Sequence, residues 1–392
     1  MSTSRFDFLL FENYHHATHH KFDLTLIARM LQSQGMRVAI LNIYHEEKDD
    51  EFEGIPVLNL PFSMPIPNDH WQLQPKNKVH SLLAKIRFLW QQYWYFKRVI
   101  VYITPLADSF YFGSYHVLLP KQLLRIDKPS YFWGVRSNRM NNFLRKSKSD
   151  PMEALHAYLL KKNFFKNKNC RLFVSNEIIR EEFISLGLEA SRLVIREERC
   201  IEQTGNANLN LLDKHPSFLV IGQLRKQKNL PLTISAFKQA NISNSHLYLI
   251  GKSEGNYESV IENSIDDNER IERQNQYLEY DEFNQYFSKS HFVLFADEQG
   301  ESCITNGTMM EALIHHRPII CPNYNPYRFY IEKYHVGLMY KPHDLNDYAI
   351  KLQEAAQIGV AAFVPHIEEF LQTILFNKVS RDFIQNIMSN NA

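Results

Sequence analysis

The chain has 392 residues, 44% of them apolar and 22% charged, a composition typical of globular proteins that excludes a disordered or fibrous chain. At roughly 100–200 residues per domain, this length predicts two domains. Lysine and arginine number 44, against 43 for aspartate and glutamate. This balance argues against a chain whose whole surface binds nucleic acid, and we expect no nucleic-acid partner.

The first half of the chain alternates apolar runs with helical segments. Phe6–Phe11 is a short apolar run, Phe22–Gln34 has helical periodicity and Val38–Ile43 is β-branched. This order is the opening of a βαβ unit. Further apolar runs predict strands at Arg98–Ile103, Ser130–Val135 and Arg171–Ser175. Together they predict a parallel sheet in the first half of the chain.

The polar segment Glu202–Pro216 predicts a linker, after which the alternation resumes. The predicted strands are Ser217–Ile221, Leu247–Ile250, Phe292–Phe295 and Pro318–Cys321. One predicted helix follows Asn229 and has Pro231 in its first turn. Two more are predicted at Phe283–Ser288 and Met309–Leu313. Two such halves predict an α/β protein with two doubly wound, Rossmann-like domains that face a central cleft. We place these domains at residues 1–203 and 204–370, followed by a C-terminal helix at 371–392 that packs back on the first domain.

Charge divides the chain in a similar place. Residues 1–180 hold 25 Lys/Arg and 15 Asp/Glu, a net charge of +10, whereas residues 181–392 hold 19 and 28, a net charge of −9. In the basic half, the segment Lys85–Arg98 predicts a helix with Trp90 and Trp94 on its apolar face. Such a helix fits either an anionic bilayer surface or the protein core with solvated ends, and both interpretations stay open.

The cysteines and the N-terminus indicate the compartment. Four cysteines lie far apart, without the Cys-x2-Cys pairs of a zinc site or the dense spacing of a secreted framework; they are Cys170, Cys200, Cys303 and Cys321. The N-terminus lacks a signal-peptide pattern, and no stretch approaches the ~20 apolar residues that cross a bilayer. We therefore expect a cytoplasmic protein, peripheral at the inner face of the cytoplasmic membrane if the basic aromatic helix binds lipid.

A glycine followed by two cations marks the first candidate site. Gly222 ends a predicted strand, where a loop can approach a ligand closely. Arg225 and Lys228 follow it beside a predicted helix N-terminus, an arrangement that suits a diphosphate. A second glycine ends the next predicted strand, and the candidate ligand contacts of the two loops are Gly222, Gln223, Gly251 and Lys252. The alternative is a solvated basic loop.

Small polar residues at a helix start mark the second candidate site. Thr305, Asn306, Gly307 and Thr308 open a predicted helix, whose start exposes backbone N–H groups to phosphate oxygens. Glu311, one turn further, can accept two ribose hydroxyls. The alternative interpretation makes Glu311 an exposed residue of the helix surface.

The order of these elements carries a family resemblance. The stretch from Phe218 to Asp344, which includes FLVIGQLRKQKNLPLTISAF and ESCITNGTMMEALIHHRPIICPN, resembles the donor-binding domain of family 4 glycosyltransferases, the glycosyl transferases group 1. The resemblance implies the two-domain GT-B fold. It also implies that Lys228 and Arg225 neutralise the pyrophosphate of a nucleotide-sugar. Gln223 stands where the family has an arginine directly after the glycine, so Arg225 takes that role here.

The family's Glu-x7-Glu motif is present only in part. Glu311 is similar to its second glutamate, which binds the ribose in the family. The first glutamate would fall at Cys303, and Glu301 lies two residues earlier. In this loop the chain is similar to polysaccharide-assembling relatives whose loop is rich in Ser, Gly and Thr.

The first half contains the candidates for acceptor binding. His15 and His16 lie with His19 and His20 in the first β–α loop, which faces the cleft in doubly wound folds. Their i, i+4 spacing also suits a metal site, although no carboxylate or cysteine joins them at a helpful spacing; a plain surface loop is the third alternative. Arg136 stands where many relatives have a histidine, and it is a candidate contact for a lipid-linked diphosphate or an anionic glycan.

The resemblance implies a retaining, hexosyltransferase-type enzyme that moves a sugar from a nucleotide-diphosphate-sugar to a glycan or polyprenyl-linked acceptor, as in bacterial capsule, exopolysaccharide or O-antigen biosynthesis. Because Arg225, Lys228 and a helix dipole supply the positive charge, we expect no metal and no other cofactor. Two alternatives stay open. One is a catalytically inactive GT-B subunit that binds a partner; the other is a GT-B nucleotide-sugar epimerase, which needs acid–base carboxylates near the sugar and for which the candidates are Glu298 and Glu301.

Overall fold

The structure, a computed structural model, describes most of the chain. The described ranges are residues 5–11, 18–42, 52, 54–62, 78–112, 127–133, 162, 164, 166–185, 187–197, 199–205, 215–298 and 306–389. The chain divides into two compact units, residues 1–198 with 377–392 and residues 199–376. Within the described ranges, no helix combines the length and the apolar character needed to span a bilayer.

The described part of the first unit contains a parallel sheet in the order β3-β2-β1-β4-β5-β6-β7. Its strands are β1 (Phe6–Phe11), β2 (Val38–Asn42), β3 (Val57–Asn59), β4 (Ala107–Phe112), β5 (Ser130–Trp133), β6 (Cys170–Val174) and β7 (Leu193–Ile195). Phe8, Leu9 and Leu10 are all buried, because both faces of an internal parallel strand are covered. In the register of the sheet, Leu9 lies between Ala39 of β2 and Phe110 of β4.

Among the described residues, three helices accompany these strands, namely α1 (Thr18–Gln32), α2 (Lys78–Ile103) and α3 (Glu177–Ser185). The strands predicted near Phe6, Val38, Ser130 and Arg171 are confirmed, each beginning within one residue of the predicted start. The first predicted helix is also confirmed, although α1 begins four residues earlier than Phe22.

The strand predicted at Arg98–Ile103 is wrong, because this segment is the last turn and a half of α2. Val99, Ile100 and Ile103 are buried, whereas Val101 is 71% exposed. This is the spacing of one helix face and not the alternation of a strand. The missing strand is β4, which begins at Ala107 after a short turn. The helix predicted at Lys85–Arg98 lies within α2, and the run of β-branched residues after it continues this helix.

The second unit contains another parallel sheet, in the order β10-β9-β8-β11-β12-β13. Its strands are β8 (Ser217–Ile221), β9 (His246–Ile250), β10 (Ile271–Gln274), β11 (Phe292–Leu294), β12 (Ile319–Pro322) and β13 (Gly337–Tyr340). From β8 the chain adds β9 and β10 on one side and then returns to place β11 on the other. The order of the strands therefore reverses between β8 and β11, the position at which open α/β sheets bind their ligands.

Most helices of this unit lie between its strands, and the last two follow β13. They are α4 (Leu230–Ala240), α5 (Tyr257–Ile265), α6 (Tyr280–Lys289), α7 (Gly307–Ile314), α8 (Tyr327–Tyr334), α9 (Leu345–Ile358) and α10 (Val364–Thr373). One face of α4, which contains Leu230, Ile234 and Phe237, is buried. Asn229 precedes α4 as predicted, but it has a left-handed backbone (φ 42°) and its side chain makes no capping hydrogen bond.

The last helix, α11 (Phe376–Ser389), ends the described chain. From residue 377 onward it belongs to the first unit. There Phe383 packs edge-on against Phe173 of β6, with ring centroids 5.0 Å apart.

An arginine on β10 fixes the carboxyl end of β9. The Arg273 guanidinium donates to the backbone carbonyls of Leu249 and Gly251, both at 2.9 Å. It also donates two hydrogen bonds, of 3.1 and 2.6 Å, to the Glu258 carboxylate at the start of α5. Bidentate pairs of this kind are strong and directional, so Arg273 holds the strand end at which the candidate site begins.

We expect Arg273→Ala to destabilise the second unit by about 3 kcal/mol, because it leaves the largely buried Glu258 carboxylate unpaired. For a unit of this size the melting temperature should fall by roughly 6–12 °C. The control is Lys351→Ala, which breaks a more exposed pair with Glu354 and should cost less than about 1 kcal/mol. Equal shifts in the two variants, measured by differential scanning calorimetry, would contradict this role of Arg273.

Candidate functional site

Two glycines at the carboxyl ends of β8 and β9 touch each other. Gly222 has a φ of +97° and Gly251 a φ of +129°, conformations that residues with a side chain rarely adopt. A Cβ on Gly251 would lie only 2.0 Å from the carbonyl oxygen of Gly222. The packing of the two loops therefore requires glycine at position 251. Both glycines end their strands, as the sequence predicted.

The Lys228 side chain returns to the end of β8. A single 3-10 turn, Lys226–Lys228, places it there, and its ammonium Nζ donates to the carbonyl of Ile221 at 2.9 Å. The position of a Cβ on Gly222 lies 3.7 Å from Lys228 Nζ and 3.7 Å from Thr308 Oγ1. The ammonium thus lies beside the start of α7, in a small pocket between β8 and β11 whose lining also includes Asp297.

The electrostatics of Lys228 follow from this placement. Burial of the ammonium lowers the pKa of Lys228 from 10.5 to about 8, the negative charge of Asp297 opposes the shift, and the positive charge of Arg225 adds to it. At neutral pH the lysine is still predominantly charged, but it has lost much of its hydration. Such a cation attracts an anion more strongly than a lysine in bulk water does.

The other predicted residues of this loop are exposed. Arg225 donates to the side-chain carbonyl of Gln223, and both side chains face solvent. Lys252 is also exposed, and its backbone carbonyl accepts from the N–H of Leu224 at 2.9 Å. The structure therefore brings Arg225 and Lys228 into one loop, with only the lysine withdrawn from water.

Asn306 caps the N-terminus of α7. Its side-chain oxygen accepts from the backbone N–H groups of Thr308 and Met309, at 2.9 and 3.3 Å. The expectation that the start of this helix leaves its backbone N–H groups open to phosphate is therefore corrected for these two groups, because an N-cap asparagine occupies them. At Gly307 a Cβ would meet no atom of the described residues within 4 Å, so none of these residues fills the space at the first residue of the helix.

A chain of hydrogen bonds joins this cap to the end of β11. The Asn306 amide donates to the Tyr327 hydroxyl at 2.8 Å, and that hydroxyl donates to the Asp297 carboxylate. Burial and the neighbouring Asp297 charge raise the pKa of Tyr327 well above its usual range, so the hydroxyl keeps its proton and remains a donor. Asp297 and Tyr327 were not among the predicted site residues, although an aspartate three residues after the end of a buried strand is a usable signal.

Glu311 lies one turn into α7 and is only 9% exposed, so it is not the surface residue of the alternative interpretation. Its Oε1 pairs with the Arg199 guanidinium at 3.2 Å. Burial raises the pKa of Glu311, and the positive charge of Arg199 opposes that shift. Local sequence patterns do not indicate this role of Arg199, because it lies more than a hundred residues from its partner.

Several predicted site residues lie outside the described ranges, and their assignments stay predictions. They are His15, His16, Arg136, Glu301, Cys303 and Thr305. Within the part of the chain that is described, no group of three or more His, Cys, Asp or Glu side chains is placed to hold a metal ion. The expectation that no metal is needed also stays a prediction.

Comparisons with known proteins support the fold. Residues 203–359 match the family of glycosyl transferases group 1, whereas no curated protein sequence matches the chain. Among solved structures, the chain is similar to the lipopolysaccharide outer core galactosyltransferase WaaB, at 12% identity over 98% of this chain and 99% of that one, with a TM-score of 0.67.

Two further structures have the same identity of 12%. HepE of Anabaena, solved in complex with UDP, is covered over 100% of its length by 98% of this chain, with a TM-score of 0.66. The chain is also similar to a glycosyltransferase from Rickettsia africae; the match covers 98% of each chain and has a TM-score of 0.68. At such low identity these likenesses bear on the fold, and the predicted GT-B fold is confirmed.

Gly251→Ala should destabilise the second unit by more than about 3 kcal/mol, because a Cβ there collides with the Gly222 carbonyl and the backbone is strained for any side chain. Gly255→Ala is the matched control, since it also has a positive φ (+53°) but no atom within 4 Å of the new Cβ. It should cost only about 1 kcal/mol. Melting temperatures of both variants test this; a Gly251→Ala protein as stable as the control would contradict the contact between the two loops.

Proposed function

We propose that this chain, which has the GT-B fold and matches the glycosyl transferases group 1 over residues 203–359, transfers a sugar from a nucleotide-diphosphate-sugar to a glycan or polyprenyl-linked acceptor. The observation that carries the donor half of this proposal is the desolvated Lys228 ammonium at the switch point of a parallel sheet. A cation there needs an anionic partner, and a diphosphate supplies one. The UDP bound to HepE, a structure of the same fold, supports this choice of ligand.

In this proposal the diphosphate lies beside Lys228, Gly222 and the start of α7. Lys228 neutralises its charge, and the exposed Arg225 adds a second cation as the ligand enters. The open space at Gly307 admits a phosphate oxygen close to the helix backbone. The remaining donor contacts that we propose are Gln223, Gly251, Lys252, Thr305, Asn306 and Thr308.

Glu311 then accepts hydroxyl hydrogens of the ribose. Its position one turn inside α7 and its ion pair with Arg199 keep an ionised carboxylate in a protected place. Ionised carboxylates are acceptors only, which suits a pair of neighbouring hydroxyls.

The reaction breaks the bond between the sugar C1 and the diphosphate oxygen and forms one between C1 and an acceptor oxygen. The departing diphosphate takes the proton of the acceptor hydroxyl, so no protein nucleophile is required and the configuration at C1 is retained. Lys228 and Arg225 lower the barrier by stabilising the negative charge that develops on the diphosphate. Because these cations serve the leaving group, we propose that no metal is needed.

The acceptor half of the proposal rests on the first unit and on its basic charge. We propose that His15, His16 and Arg136 contact the acceptor, and that the protein works in the cytoplasm at the inner membrane face, in the assembly of a surface polysaccharide. The 26-residue helix α2 supports this location, because it contains five Lys/Arg and no Asp/Glu. A positive helix of this kind is attracted to anionic lipids.

One face of α2 is suited to a bilayer surface. Trp90, Trp94 and Val101 are 66, 44 and 71% exposed, and the Lys97 ammonium lies 4.7 Å from the centre of the Trp94 ring. The opposite face, which includes Phe96, is buried in the first unit. The exposed face therefore supports the proposal of a membrane surface, and the buried face belongs to the core of the first unit. Indole rings beside lysines favour the boundary between lipid headgroups and acyl chains.

Lys228→Ala should lower turnover by about 10²- to 10³-fold, and Arg225→Ala by about tenfold, because the first removes the desolvated cation and the second an exposed one. The measurement is the release of nucleoside diphosphate from UDP-, GDP- and ADP-sugars, with and without a polyprenyl-linked glycan acceptor. The control is Lys226→Ala, an exposed lysine of the same turn, which should leave turnover within about twofold.

The outcomes of this experiment separate the alternatives. Unchanged release by Lys228→Ala would contradict the donor site. Nucleotide binding without any turnover in the wild-type protein would favour a catalytically inactive subunit, and conversion of one nucleotide-sugar into another would favour an epimerase.

The double variant Trp90→Gln/Trp94→Gln should bind phosphatidylglycerol-containing vesicles about tenfold or more weakly than the wild type, because it removes two indoles from the lipid boundary. Its melting temperature should hardly change, since both rings are exposed. The matched control is Tyr277→Gln/Tyr280→Gln, which removes two exposed aromatic rings (77 and 68%) from the second unit. Equal loss in both variants, or equal binding of the wild type to uncharged vesicles in a sedimentation assay, would contradict the membrane surface.

A further inference from the structure

The ion pair between Arg199 and Glu311 joins the segment where the chain enters the second unit to the helix of the candidate site. Arg199 is the first residue of that unit. Its guanidinium Nη2 lies 3.2 Å from Glu311 Oε1, and the side chains are 40 and 12% exposed. The pair is therefore unequal, with a solvent-accessible arginine that reaches a nearly buried carboxylate.

The backbone around Arg199 is held in place. Two residues further, the N–H of Ile201 donates to the carbonyl of Ile374 at 3.0 Å, and the N–H of Phe376 donates to the carbonyl of Ile201 at 2.8 Å. The segment that enters the unit is thus hydrogen-bonded to the segment that leaves it. Because this pairing fixes the backbone near Arg199, the guanidinium is presented to Glu311 from an ordered support.

Glu311 depends on this partner. A carboxylate withdrawn from water loses hydration, which favours its neutral form, and the positive charge of Arg199 at 3.2 Å opposes this effect. The ionised carboxylate has about four acceptor positions on its two oxygens. Arg199 approaches Oε1, so a second group can still hydrogen-bond to the same carboxylate.

We propose that Arg199 is a positioning residue for nucleotide recognition, whose ion pair orients the Glu311 carboxylate toward the ribose hydroxyls of the donor. This inference rests on the proposed function. It makes the entering segment, which lies far from α7 in sequence, responsible for the selectivity of the site. The site would then prefer ribose to sugars that lack these hydroxyls. A buried acceptor built to hold a hydroxyl rejects analogues without it.

The experiment compares a ribonucleotide with its form lacking both hydroxyls. The probe is whichever of UDP, GDP and ADP raises the melting temperature of the wild-type protein most, together with the 2′,3′-dideoxy form of the same nucleotide. Dissociation constants are measured by titration calorimetry for the wild type and for Arg199→Met, Arg199→Lys and Glu311→Gln. Methionine preserves much of the side-chain length without the charge, and lysine preserves the charge.

We expect the wild type to prefer the ribonucleotide by about 10- to 100-fold. Arg199→Met and Glu311→Gln should each reduce this preference about tenfold, with the affinity for the dideoxy form changed by less than about threefold. Arg199→Lys should retain most of the preference. The double variant Arg199→Met/Glu311→Gln should lose no more than either single variant, because the two residues act on the same hydroxyls.

Three results would overturn the inference. A loss of affinity for both nucleotide forms alike in Arg199→Met would mean that Arg199 attracts the diphosphate. An unchanged preference in Arg199→Met, with or without a lower melting temperature, would mean that the ion pair is only structural. The absence of binding by all three nucleotides to the wild type would refute the proposed function, and this inference with it. Lys228→Ala distinguishes the two proposals, since it should weaken both nucleotide forms equally.

Discussion

The candidate site depends on the contact between two glycine backbones at the ends of β8 and β9. Because Gly251 carries no Cβ, its loop can lie against the Gly222 carbonyl, and the loop after β8 turns back sharply enough for Lys228 to reach Ile221. Arg273 holds the same strand end from the other side through the Gly251 carbonyl. A larger residue at position 251 would separate the loops, and the ammonium would lose the position from which it meets the start of α7. Backbone packing thus determines where the positive charge lies.

A second set of contacts places α7 relative to that charge. The hydrogen bonds from Asn306 to Tyr327 and from Tyr327 to Asp297 join the N-terminus of the helix to the end of β11. Asp297 also acts electrostatically on Lys228. The same carboxylate therefore anchors the helix cap and partly balances the buried cation. Networks of this kind fix the geometry of a site before any ligand binds. A preorganised site of this kind stabilises developing charge without having to rearrange during the reaction.

The sequence predicted four strands of the second unit, β8, β9, β11 and β12, and the glycines and cations of its first loop, because local signals mark them, whereas it missed β10 and β13. Gly222 and Gly251 each follow a largely apolar run, and Lys228 precedes a helix with an early proline. Arg199 and Tyr327 could not be predicted, since their roles arise from contacts with residues far away in the chain. The strand expected at Arg98–Ile103 failed for a related reason: β-branched residues favour strands locally, but here they continue the buried face of α2. Packing against residues far away in the chain therefore determined that this segment is a helix and not a strand.

The depressed pKa of Lys228 links stability to function. The pKa in the folded protein is about 8, below the ordinary value of 10.5, so the folded state binds this proton less tightly than the unfolded state does. The cost of burying the charge is therefore fully present below about pH 8, and it disappears as the pH rises through 10.5 and the lysine is neutral in both states. At neutral pH the protein thus retains a cation that destabilises it, with Asp297 as a partial counter-charge. An anion bound in this pocket would supply the missing partner, stabilise the ammonium and raise its pKa. Groups held at such a cost are concentrated at functional sites, and this is the strongest physical reason to locate the diphosphate at Lys228.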